Sequence, residues 1–141
     1  MKELERAKEI LRDGGHTAVL LKGDEVFVTD LRGVKPLVAW LKSGVDFSGY
    51  YGADKVVGRG AGFLYALLKV KALHANVVSR GAVEVLKAHN ITVEYDVLVD
   101  NIINREGTGI CPFEEAVSDV SDAEEAYKIV IKKMGEMGIS V

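Results

Sequence analysis

A layered α/β domain is the fold class this sequence predicts, and three observations predict it. The chain of 141 residues suits one domain, 1–141, able to bury roughly 70% of its extended surface. After residue 53, runs rich in apolar and β-branched residues alternate with stretches of helical period. Capping residues and glycines punctuate that alternation where a chain changes element. Helices packed on a sheet satisfy such a pattern.

Leu4, Ala7, Ile10 and Leu11 recur at helical spacing, and Gly14-Gly15 end that first helix. Thr17 to Leu21 and Glu25 to Thr29 read as strands, and Gly23-Asp24 is a pair that a two-residue hairpin turn accepts. Pro36 marks a short helix whose apolar side is Leu37, Val38, Trp40 and Leu41. The segment Gly44 to Gly52, with Phe47, Tyr50 and Tyr51, is expected to be an exposed loop. A helix capped by Asp54 is expected from there to Lys69. Leu73 to Val78 is a buried strand, and Ser79 caps a helix from Arg80 to about His89, with Asn90 as its left-handed stop. Ile91 to Tyr95 alternates as a strand, parallel to the one before. Residues 96–103 read as strand or turn. Ser121-Asp122-Ala123-Glu124 forms a capping box for a last helix reaching about Met134.

Composition removes several function classes. Hydrophobic residues make up 48% and charged residues 28%, the balance of an ordinary globular protein. A net charge of −3 argues against nucleic acid as a partner. The single cysteine cannot make an internal disulfide, which suits a reducing compartment. The charged amino terminus is unlike a signal peptide, and no apolar run approaches the roughly 20 residues of a membrane span. A cytoplasmic protein is expected.

Chemistry concentrates at helix starts. Backbone N–H groups there lack partners and favour an anion. Asp54-Lys55 and Ser79-Arg80 mark two such starts, and in a layered sheet they collect at the carboxyl edge. If they share a crevice, Lys55 and Arg80 add full charges for a phosphate or carboxylate; otherwise Asp54 and Ser79 are caps and the cations are solvated. Gly58-Arg59-Gly60-Ala61-Gly62 fails the dinucleotide fingerprint, because its third glycine comes too early. Glycines inside a helix cost about 1 kcal/mol each, so close approach of another backbone is the better account. Cys111, set before Pro112 and behind Gly107-Thr108-Gly109, reads as a thiol delivered to a helix start. It is either an inert structural thiol or a catalytic nucleophile activated from its usual pKa of about 8.5. A metal role lacks partners, since His16, His74 and His89 show no ligand spacing. Arg105 offers a planar fork for phosphate or carboxylate, and Asn104 could read a base or ribose; the plainer roles are a surface ion pair and a turn.

Gly52 to Gly58, the strand–Ser79 junction and the run Asn104-Arg105-Glu106-Gly107-Thr108-Gly109-Ile110-Cys111-Pro112 resemble a prokaryotic family, the domain of unknown function 1893 family. That family is grouped with the cytidine-deaminase-like fold. The likeness covers about residues 17 to 118. It implies a three-layer α/β/α sandwich around a mixed sheet. In working deaminases, His-x-Glu or Cys-x-Glu starts one central helix and Pro-Cys-x-x-Cys the next, holding zinc and a proton-shuttling Glu. This chain has Asp54-Lys55 and Ser79-Arg80 at those places. The resemblance therefore implies no metal or other cofactor and no hydrolytic deamination.

The leading expectation is a pocket for a nucleotide or related phosphorylated small molecule. Asp54, Lys55, Ser79, Arg80, Asn104, Arg105 and Thr108 would line it. The alternatives are an enzyme using Cys111 as nucleophile on such a ligand, and an interaction module. In the latter, Trp40, Phe47, Tyr50 and Tyr51 would form a partner or homo-oligomer surface.

Overall fold

The computed structural model describes residues 1–141. Five strands form one mixed sheet: β1 (Ala18–Lys22), β2 (Glu25–Thr29), β3 (Tyr51–Val57), β4 (Ala72–Ser79) and β5 (Thr92–Val99). Their order is β2-β1-β3-β4-β5. β1 runs antiparallel to both β2 and β3, while β3, β4 and β5 are parallel. The hairpin turns on Gly23 at φ 59°, with Lys22 paired to Glu25. A primed two-residue turn needs such an angle, and glycine adopts it without strain.

Six helices flank the sheet: α1 (Lys2–Gly14), α2 (Lys35–Lys42), α3 (Arg59–Leu68), α4 (Arg80–Ala88), α5 (Pro112–Ala116) and α6 (Ala123–Glu136). Strand alternation divides the apolar residues between two faces. On one, Ala7 and Leu11 of α1 meet Val19, Leu21 and Ala53. On the other, Leu20, Leu73 and Ala75 join the residues of α2 to α6 in the main core. Pairing of β4 with β5 is parallel, as the crossover predicts. No helix is long and apolar enough to cross a membrane.

Asp54 does not cap a helix. It lies within β3, and the helix begins at Arg59 behind Gly58. β3 passes through the middle of the sheet, where Gly52 leaves no room for a side chain. A Cβ on Gly52 would stand 3.0 Å from Leu73 Cδ1 and 3.2 Å from Leu20 Cδ2. Ala53, on the opposite face, is fully buried beneath α1. Its central stretch Gly52-Ala53-Asp54-Lys55 carries little strand propensity of its own. Lys69, at φ 61°, then stops α3.

Three smaller expectations shift. The uncertain stretch after Tyr95 continues β5 to Val99. The last helix is capped by Asp122, one residue later than a Ser121 box requires, its carboxylate accepting from the Glu125 amide at 2.9 Å. The loop is exposed only at Gly44 to Asp46: Phe47 and Tyr50 are buried, and Phe47 meets Phe27 edge to face at 5.0 Å. Phe47 and Tyr50 thus build core, while Trp40 and Tyr51 are half-buried, Trp40 against the main core and Tyr51 against the α1 cluster.

Candidate functional site at two helix starts

Because β3 and β4 are parallel neighbours, the helices that follow them start side by side at the carboxyl edge of the sheet. Glycine lets α3 and α4 close up, for a Cβ on Gly62 would lie 3.4 Å from Ala82 Cα. Ser79 caps α4 as its sequence predicts, its Oγ accepting from the Ala82 amide at 3.1 Å. The same hydroxyl donates to Glu114 Oε1 at 2.8 Å. Glu114 Oε2 accepts from the Arg59 amide at 3.3 Å and the Ile102 amide at 3.4 Å. Thus one carboxylate, carried in on α5, sits across the starts of both central helices.

Arg59, at the first position of α3, fixes the surroundings. Its Nε donates to Val117 O at 2.9 Å, Nη2 to Val120 O at 2.5 Å and Nη1 to Gly81 O at 3.2 Å. Arg59 is 8% exposed and Glu114 is 5% exposed, so both charges work in low dielectric. Every buried side-chain nitrogen and oxygen has a partner. The glycines around Arg59 make this possible. A Cβ on Gly58 would lie 2.5 Å from Glu114 Oε2, and one on Gly60 would lie 3.1 Å from Phe113 O. Close approach, rather than phosphate binding by the glycine run, accounts for those residues.

The predicted site residues are only partly gathered. Ser79 is central. Arg80 stands beside it, exposed and paired with Asp100 at 2.8 Å. Lys55 is exposed on β3 and not at a helix start; Arg59 occupies that place. Asp54 accepts from Tyr65 Oη at 2.6 Å, and burial lifts its carboxyl to about 6 against the opposing pull of that hydroxyl and two amides. Asn104 and Thr108 bond each other, Nδ2 to Oγ1 at 3.1 Å and Oδ1 from the Thr108 amide at 3.0 Å. They shape a tight turn closed by the Ile103–Ile110 bridge, with Arg105 exposed at its tip. Asn104 is therefore engaged in the turn, which is its plainer reading.

Cys111 is the N-cap of α5 with Pro112 at the first position, but the helix has only five residues. The thiol is half-buried and packs against the core. The imidazoles are engaged elsewhere: His16 with Asp30, His74 with Glu94 and His89 with the Val85 carbonyl. No group of three or more His, Cys, Asp or Glu side chains is arranged to hold a metal ion. The residues at the junction do not fit zinc, since Glu114 alone there is of a metal-ligating kind and its oxygens are taken by hydrogen bonds.

Sequence reasoning passed over Arg59 and Glu114. The only signals were an arginine among glycines and an acid in the first turn after Cys111-Pro112. Comparison with known proteins adds the lineage. Residues 6–134 match the model of a domain of unknown function, DUF1893. The crystal structure of a DUF1893 family protein from Thermotoga maritima superposes with a TM-score of 0.87 at 27% identity, covering 94% of this chain and 90% of that one. A search of the curated proteins finds no match.

Proposed function

We propose, for a chain that belongs to the DUF1893 family, that the paired helix starts are an anion seat serving a nucleotide or related phosphorylated small molecule. On this reading the domain is metal-free, is cytidine-deaminase-like in architecture and does not deaminate by hydrolysis. The carrying observation is the carboxylate of Glu114, which takes the Ser79 hydroxyl and the Arg59 and Ile102 amides at once. Donors that converge on one acid from two helix starts suit a phosphate for the same electrostatic reason. Ser79 and Arg80 belong to this seat, and the Asn104-Arg105-Thr108 turn to its approach. Asp54 and Lys55 lie off it, inside β3.

A thermal-shift panel of nucleotides, nucleotide sugars and inorganic phosphate tests the reading. A ligand at 100 times its dissociation constant stabilises by about 2.7 kcal/mol, a visible rise in melting temperature. Arg80→Ala should weaken that rise. A panel in which no phosphate-bearing compound shifts the transition ends the proposal.

The second reading, an enzyme with Cys111 as nucleophile, draws on its half-exposed place at the N-cap of the segment that carries Glu114. Alkylation at neutral pH no faster than that of a free thiol removes it.

A further inference from the structure

We propose that two copies of this chain associate, about a two-fold axis, through one corner of the sheet. There Lys55-Val56 of β3, Asn76-Val77 of β4 and Asp96-Val97 of β5 lie side by side.

A break in strand alternation creates this surface. In β3, Gly52 and Asp54 face the main core, yet so does Val57. In β4, Leu73 and Ala75 face it and so does Val78; in β5, Val93 and then Leu98 do. A regular strand repeats every two residues, so each of the three strands carries one residue out of phase, at the same level. The register agrees: Asp54, Ala75 and Tyr95 are partners across the strands, as are Val56, Val77 and Val97, but no bridge joins Lys55, Asn76 and Asp96. Within β3, Asp54 Oδ1 accepts from the Val56 amide at 3.2 Å. The three valines consequently join neither core, and Val56 is 47% and Val97 49% exposed. Helix α1, packed on β1, β3 and β4, leaves this apolar row open.

The polar row beside the valines identifies the partner. Lys55, at one end, makes no ion pair within the chain. Asp96, at the other, is exposed, and its one partner, His74 Nε2, stands at 3.6 Å. Asn76, between them, carries both donor and acceptor groups. A two-fold axis at β4 that reverses the strand order sets Lys55 against Asp96 of the second copy and Val56 against its Val97. Asn76 and Val77 then meet their own counterparts, the self-matching pattern that an isologous interface requires. A uniformly acidic or basic partner would leave one charge opposed by its like. Self-pairing along the β5 edge would bring Glu94, Asp96 and Asp100 together, with no cation among them.

Sedimentation equilibrium over a range of concentrations, at low salt, provides the test. The wild-type chain should form a dimer. Lys55→Asp and Asp96→Lys should each raise its dissociation constant by at least about tenfold, since each places like charges together twice per dimer. The double variant Lys55→Asp/Asp96→Lys should restore association, which a merely structural role for either residue would not produce. Val97→Arg should abolish it. A wild-type chain that stays monomeric throughout overturns the proposal, as does a dimer indifferent to Val97→Arg or a double variant no better than the single ones. Should the variants not fold, acetylation of the Lys55 amine in the wild-type chain decides alone. It should slow as concentration rises through the dimerisation range, and an unchanged rate overturns the proposal.

Discussion

Asp54 holds its carboxyl where burial disfavours charge, and the consequence is a dependence on pH. Its value is raised from 3.8 to about 6, burial outweighing the Tyr65 hydroxyl and the amides. A raised native value means the associated stability is fully present below about 3.8 and is lost as pH rises through 6. That shift corresponds to on the order of 3 kcal/mol. Urea unfolding at pH 5 and pH 8 should therefore show the wild type losing stability relative to Asp54→Asn as pH rises. Parallel pH profiles for the two proteins would contradict this assignment. Glu114 is an acid whose hydrogen bonds hold it in place. Glu114→Ala would leave the Ser79 hydroxyl and two amides without their acceptor, each unsatisfied group costing about 1–3 kcal/mol. A loss of at least about 2 kcal/mol by chemical denaturation is expected, with a smaller loss for Glu114→Gln.

Among elements, the glycines of α3 and α6 obey different rules. Gly58→Ala should destabilise by about 1–3 kcal/mol, because the new methyl enters the space of Glu114 Oε2. Gly135, in the last turn of α6, has nothing within 4 Å of a built Cβ, so Gly135→Ala should stabilise by about 0.5–1 kcal/mol. Melting temperatures moving in opposite directions would confirm the contrast; a fall in both would show that α6 packs more tightly than described. Legibility in the sequence followed the same local logic. Gly15 as the stop of α1, Gly23 in the hairpin, the Ser79 cap and the left-handed Asn90 were readable because each acts within a few residues. β3 was not, since the need for Gly52 and Ala53 comes from Leu20, Leu73 and Ala7 elsewhere in the chain. Arg59 and Glu114 were hidden for that reason too: their partners are 12 to 61 positions away.

Across the whole molecule, the helices are unevenly shared between the two faces of the sheet. One face carries a cluster of 5 buried residues beneath α1, and the other a core of 26, so cohesion is strongly one-sided. Helix α1 should open before the rest, and its amides should exchange at a lower free energy than those of β4 and α3. Equal protection throughout would mean the two faces unfold as one. Leu11→Ala, at a position 3% exposed, should cost about 2–4 kcal/mol and lower α1 protection most.

The reach of Arg59 carries a further consequence for how the chain acquires its shape. During synthesis α3 and α4 emerge well before Glu114, Val117 and Val120, so for a time the guanidinium has Gly81 O and Glu84 but neither later carbonyl, and the Arg59 amide lacks its carboxylate. Residues 112–120 thus act as a late keystone, and ambient sulfate in a refolding experiment should delay the last kinetic step by occupying their place.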